Sequence, residues 1–289
     1  MVKKKLKNYQ IVTLVAWVSR GIQVSLQLFM IPMVTKLLNA EEYTVYILIT
    51  VLMPWVMLTD IGLGSALQNK ISELKAKSLD YNSYIINSVF IVAVLFVMFV
   101  LLFYFISDFL GSIYLGDALG NYDMGRVFFI GAVMMISTSL FGLVYKVWYA
   151  VGRGYWANIV PAIATILSFL LLLFMDRFYT SDESLILVLS AYLLPQAGIL
   201  FMLFSRMLIT YKINITKDIL VSLISKGSGF FYFNLMAVLV LQVDYIILSQ
   251  TVPFEDIIEY NTLGKVFSLG FFIYSALLLS LWPFISEKI

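Results

Sequence analysis

Cysteine and histidine are both absent from this 289-residue chain. Without cysteine there is no disulfide, no iron–sulfur cluster and no thiolate zinc site. Without histidine the chain lacks the commonest acid–base side chain at neutral pH and the commonest metal ligand. Catalysis would rest on carboxylates, Lys, Arg, Tyr and Ser, so the expectation is a protein that is not an enzyme and holds no metal or cofactor. Phosphate-cradling loops are missing too. The "GLG" of "DIGLGSA" and the "GRG" of "VGRGYW" do not sit between a strand and a helix, and no ATPase or nucleic-acid-binding motif is present. Charge is scarce, with Asp, Glu, Lys and Arg making up 12% of residues.

What fills the chain is apolar: 62% of residues are hydrophobic and 16% aromatic. Long uncharged runs such as "IINSVFIVAVLFVMFVLLFYFI" (Ile85 to Ile106) and "ANIVPAIATILSFLLLLF" (Ala157 to Phe174) are long enough to cross a bilayer. The fold class is therefore all-α, a polytopic transmembrane helix bundle. Eight spans are predicted at about 9–36, 43–69, 83–108, 126–150, 157–176, 184–208, 227–250 and 259–284. The segment behind "MVKKKLK" is too long for a signal peptide and lacks a small-residue cleavage pattern, so it reads as the first permanent span. Pro32, Pro54 and Pro195 fall inside spans, where neighbouring helices can satisfy the carbonyls they free.

With the N-terminus in the cytoplasm, most of the 19 basic residues fall at cytoplasmic ends, among them Lys3, Lys4, Lys5, Lys70, Lys75, Lys77, Arg153, Arg206 and Lys217. Lys146 is expected to snorkel to the same interface. Most of the 17 acids fall outside, including Glu41, Glu42, Asp108, Asp123 and Asp176. This bias in basic residues predicts a multi-pass protein with both termini cytoplasmic. The connection "TYKINITKDILVSLISKG" (Thr210 to Gly227) reads either as an interfacial helix capped by Thr216 or as the start of span seven. The domain expectation is a six-helix lobe over 1–208, a cytoplasmic linker over 209–226 and the first two helices of a second lobe over 227–289. A short repeat supports it: "LLNAEEYTVYILITV" and "TVPFEDIIEYNTLGKV" each place a two-acid turn before a span, six spans apart, as in a parallel duplication.

Four stretches carry a family resemblance. "LLNAEEYTVYILI" is similar to an "LGPEEYGLY" outer turn, and "LTDIGLGSALQNKISE" to a "DLGLGSALVRFISE" end of the second span. "WYAVGRGYWANI" resembles an "FRALGR…A" turn between spans four and five. "VDYIILSQTVPFEDIIEYNTLGKV" resembles a later "D…IL…G…VGYY…K" stretch. In this order they resemble the polysaccharide (O-antigen-type) flippases of the multidrug/oligosaccharidyl-lipid/polysaccharide exporter superfamily. The resemblance implies a MATE-like exporter fold in the bacterial inner membrane. It implies translocation of a polyprenyl-diphosphate-linked oligosaccharide, such as an O-antigen or capsule repeat unit, by alternating access. An ion gradient, the membrane potential or substrate flux would drive it. Other polysaccharide-assembly membrane proteins are implied companions. Such proteins have twelve or more spans, so eight would give one complete lobe and an incomplete second. A non-transporting truncated remnant or scaffold, and a multidrug antiporter of the same superfamily, are the competing expectations.

Charges inside spans are the candidate site. Arg20 lies about 16 Å of helix beyond Tyr9, and Asp60 about 15 Å before Lys70, so the two match in depth on adjacent spans. A central Arg costs about 2.5–3.5 kcal/mol on insertion scales and should face a bundle interior or water. Thr13, Arg20, Gln23 and Gln27 form a polar stripe on one face of the first span. Within the resemblance, Arg20 would bind the diphosphate, Gln23 and Gln27 would bond sugar hydroxyls, and Trp17 would stack on a sugar or anchor at the interface. Alternatively Arg20 and Asp60 form an ion pair that joins two helices. Asp60 is also a candidate for coupling a proton or sodium ion, or for capping the "DIGLG" bend. Asp244 and Lys265, near the outer ends of spans seven and eight, read as a packing salt bridge or as substrate contacts.

Overall fold

The computed structural model describes residues 2–115, 122–178, 184–210, 214–253, 255–265 and 267. Among them there is no strand. The helices are α1 (Val2–Leu37), α2 (Ala40–Thr50), α3 (Met53–Val56), α4 (Leu63–Ala76), α5 (Asn82–Leu115), α6 (Met124–Phe141), α7 (Leu143–Val151), α8 (Gly154–Phe178), α9 (Ser184–Thr210) and α10 (Lys217–Thr251). Residues 255–265 form a further helix, α11. Seven stretches among the described residues are long and apolar enough to cross a membrane, each overlapping one of the first seven predicted spans. The predicted eighth, 259–284, lies mostly outside the described residues.

A helix that is apolar all round belongs in the middle of a bundle. That is the case for α2, where every residue from Glu42 to Ile49 is buried, and for much of α6, where Val127, Ala132, Met135, Ile136 and Leu140 are buried. Around them α1 packs on α8, α5 on α6, α9 on α6 and α8, and α10 on α4 and α5. The outer face of α5 (Val97, Met98, Leu101, Leu102, Phe105) and that of α10 (Phe233, Val240, Leu241) are exposed apolar surface, as lipid contact requires. Lipid is as apolar as leucine, so close packing and interhelical hydrogen bonds hold such helices to one another.

Two buried polar residues supply such bonds. Asn39 and Glu42 form a capping box at the start of α2, with N–H to side-chain bonds of 3.0 and 2.9 Å. The same Glu42 carboxylate accepts the Tyr122 hydroxyl at 2.6 Å and the Ser184 hydroxyl at 3.0 Å, tying α2 to the beginnings of α6 and α9. Burial, and then this bond to Glu42, raise the Tyr122 phenol above its usual range and keep it a donor. On α5, fully buried Asn87 donates to the Asn214 carbonyl at 3.0 Å and accepts from the Thr216 amide at 2.9 Å, fastening the approach to α10.

The structure differs from the sequence expectation in one element and decides between two readings of another. The predicted second span, 43–69, is not one helix. After α3 a 3-10 turn (Met57–Asp60) leads into Ile61 and Gly62, both left-handed (φ 47° and 73°), before α4 begins. Asp60 accepts the Gly62 amide at 2.8 Å across this bend, an Asx-type turn. Glycine is required at 62 for a second reason: a Cβ there would fall against the Gly227 carbonyl and within 2.8 Å of the Phe231 nitrogen on α10. In addition, of the two readings of the 210–227 connection the structure has the second: its helix and the seventh span form one uninterrupted helix, α10. Ile219, Leu220 and Leu223 belong to its first turns, and Leu223 is buried against its neighbours.

Candidate functional site

A hollow of about 410 Å³ opens between α1, the Asp60 bend, α4, α6, α7, α8 and α9. Arg20 and Gln23 enter it from α1, Asp60 from the 3-10 turn, Tyr145, Lys146 and Tyr149 from α7, Asn158 from α8 and Gln196 from α9. Arg20 and Asp60 share this hollow as their matched depth predicts, but no ion pair joins them. Among the described residues neither Arg20 nor Lys146 makes an ion pair. Gly64 makes room for two of these groups, since a Cβ on it would lie 3.0 Å from the Lys146 Cγ and 3.1 Å from the Asp60 Oδ2. The wall is braced by hydrogen bonds: the Tyr149 hydroxyl donates to Asn158 Oδ1 at 3.1 Å, and Asn158 Nδ2 donates to the Gly154 carbonyl at 2.9 Å.

A second hollow of about 210 Å³ adjoins the first, sharing Gln23, Met53, Thr138 and Gln196 with it. It adds Gln27 from α1, Thr50 from α2, and Thr165 and Ser168 from α8. Along α1, α8 and α9 it lies toward the ends marked by Leu37, Phe178 and Ser184, whereas the first hollow lies toward the Asp60 bend.

The predicted polar stripe on α1 is thus spread over two adjoining spaces, Arg20 in one, Gln27 in the other and Gln23 in both. Trp17 is exposed and lines neither hollow. Lys146 does not stand free at a helix end as the snorkelling expectation had it; it lines the first hollow. A signal for this was present in the sequence. Thr138, Gly142, Tyr145 and Tyr149 recur at helical spacing with Lys146 beside them, a polar stripe on an otherwise apolar span. Asp244 and Lys265 lie apart from both hollows. Asp244 accepts the Tyr260 hydroxyl through Oδ2, while its Oδ1 and the Oδ1 of neighbouring Asn261 are buried and accept no hydrogen bond. The Asn261 amide donates to the Tyr245 hydroxyl at 3.0 Å.

Chemically, the first hollow offers two cations and one carboxylate that is already engaged by backbone. The second offers only neutral amides and hydroxyls. No family model and no solved structure matches the chain. Curated proteins do. It is 36% identical to a Yersinia pseudotuberculosis protein named for O-antigen export. It is 35% and 30% identical to proteins of Salmonella typhi and Salmonella typhimurium named as O-antigen transporters. Each match covers 98% of this chain, which spans 66% of the relative's length. With an all-α bundle and identities of this size along nearly its whole length, the chain belongs to the polysaccharide flippase family that includes these O-antigen transport proteins.

Proposed function

We propose that the chain takes part in moving a lipid-linked oligosaccharide, such as an O-antigen or capsule repeat unit, across the bacterial inner membrane. The observation that carries this reading is the pair of cations, Arg20 and Lys146, in a hollow inside the bundle with no ion-pair partner among the described residues. Each such charge costs about 2.5–3.5 kcal/mol at the centre of a membrane helix, and Asp60, the one carboxylate in the hollow, forms an ion pair with neither. An arriving anion offsets that cost. A guanidinium fork bonds phosphate oxygens bidentately and an ammonium adds a point charge, so a diphosphate ester fits the two together. Asp60, whose Oδ1 accepts the Gly62 amide, shapes the floor of the site and keeps the bend in place.

On this reading the polyprenyl tail stays in lipid while the headgroup enters the hollow. Helices α1 to α9 form one lobe, α10 and α11 begin another, and rocking between lobes exposes the hollow to each side in turn. The distribution of basic residues favours cytoplasmic termini. The names of the relatives favour polysaccharide transport over catalysis. A multidrug antiporter taking organic cations is disfavoured by the same two positive groups, which repel such cargo. A scaffold without transport would have no use for two unpaired charges in its interior.

Binding to the purified full chain in nanodiscs tests the proposal, with farnesyl diphosphate as the probe. Arg20→Gln and Lys146→Gln should each weaken binding about tenfold or more, the size of a lost charge-assisted hydrogen bond. Equal affinity in both variants and the parent, at matched folding, overturns the proposal.

A further inference from the structure

Resting on the diphosphate reading, the geometry points to the 210 Å³ hollow as a saccharide subsite that takes a neutral sugar and excludes a carboxylate-bearing one. It is placed for the sugar joined directly to the diphosphate. Gln27 is seven residues beyond Arg20 on α1, about 10 Å along the axis, and the two spaces share four wall residues.

The selectivity comes from where the hydroxyl protons point. Thr50 donates to the Tyr46 carbonyl at 2.9 Å, Thr138 to Met134 at 3.0 Å, Thr165 to Pro161 at 2.9 Å and Ser168 to the Tyr192 carbonyl at 2.9 Å. A hydroxyl has one proton to give, and each of these has given it to backbone. What these four hydroxyls turn to the space is therefore their oxygen lone pairs, with donors left only on the neutral amides and Tyr192. Sugar hydroxyls satisfy them by donating, while an ionised carboxylate, which only accepts, finds no partner in these four. No Lys or Arg lines the hollow to compensate it. The amide of Gln27, which has no hydrogen bond among the described residues, remains to donate to a sugar oxygen.

The test compares two farnesyl diphosphate glycosides that differ only at C6, one carrying galactose and one galacturonic acid, on the full chain in nanodiscs. The galactosyl compound should bind more tightly than the galacturonosyl one, by about tenfold or more, since a buried carboxylate with no cation beside it costs at least that. Thr165→Val and Gln27→Leu should each reduce the preference for galactosyl over bare farnesyl diphosphate by about three- to tenfold, one neutral hydrogen bond apiece. Equal or tighter binding of the acidic sugar overturns the inference, as does a preference indifferent to both substitutions. Failure of the diphosphate reading shows differently: the galactosyl compound then binds with unchanged affinity in Arg20→Gln and Lys146→Gln. Binding of neither glycoside overturns both.

Discussion

At the scale of single residues, the side chains that hold the bundle together are acceptors in apolar surroundings. Glu42 takes four roles at once: it closes the α2 cap from both sides and receives hydroxyls from Tyr122 and Ser184. An interhelical hydrogen bond in a membrane protein contributes about 0.6–2 kcal/mol, and a helix cap about 1 kcal/mol. Glu42→Ala should thus lower stability by about 2–4 kcal/mol, and Glu42→Gln by less because an acceptor oxygen remains, as thermal unfolding of the purified chain would measure. In the last turn of α4, exposed Glu73 is bonded first by Lys77 and then by Lys70, which lower its carboxyl to about 2. A depressed carboxylate supports the fold above its ordinary value of 4.5 and loses that support as pH falls through about 2. Carbon-detected NMR of Glu73 should therefore show no titration between pH 7 and 4, and Lys77→Ala should bring its midpoint upward. That Arg20 and Gln23 line a hollow was legible because a charge and amides at helical spacing on an apolar span turn away from lipid. Trp17 was not separable from the stripe, since periodicity gives a face and not the shape of the space in front of it. Lys146 was hidden by its nearness to a helix end, where a long stem allows either direction.

At the scale of elements, hydropathy found the spans because burial in lipid is written in every residue of a segment. Breaks inside them are written in one or two. The Asp60–Gly62 bend depends on a carboxylate that bonds an amide two residues on, and on contact with a glycine about 165 positions later, Gly227, which no local pattern foretells. Gly62→Ala should cost more than the roughly 1–2 kcal/mol of a left-handed alanine elsewhere, because its Cβ also meets α10 backbone. Gly229→Ala, with open space around it, should instead gain up to about 1 kcal/mol from helix propensity. Thermal unfolding of the two variants side by side separates a close backbone approach from a general intolerance of α10 to alanine. The join of the 214–216 segment to α5 was equally invisible. Asn87 lies in an apolar stretch and reveals its two backbone bonds only when the partner segment is in place.

At the scale of the whole molecule, the outward faces of α5 and α10 and the seven membrane-length stretches make a body suited to a bilayer. The absence of cysteine makes its orientation easy to test, since any introduced thiol is the only one present. With cytoplasmic termini, Ser78→Cys should react with an impermeant maleimide only after the membrane is opened, and Asn39→Cys in intact spheroplasts. The reverse pattern would invert the topology. Composition made the helical membrane class readable, because it is a sum over many residues, and the same kind of sum over charge gives the orientation put to the test. The adjoining hollows were not readable as spaces, because a cavity belongs to what six or more helices fail to fill.

The touch between Gly62 and Gly227 has a mechanical result. Two main chains meet there with no side chain as a cushion, and the peptide beside that point is pinned to the Asp60 carboxylate in the floor of the first hollow. Tilting the long α10 rod therefore presses directly on that floor, as a lever bears on its fulcrum, with no soft layer to absorb the stroke.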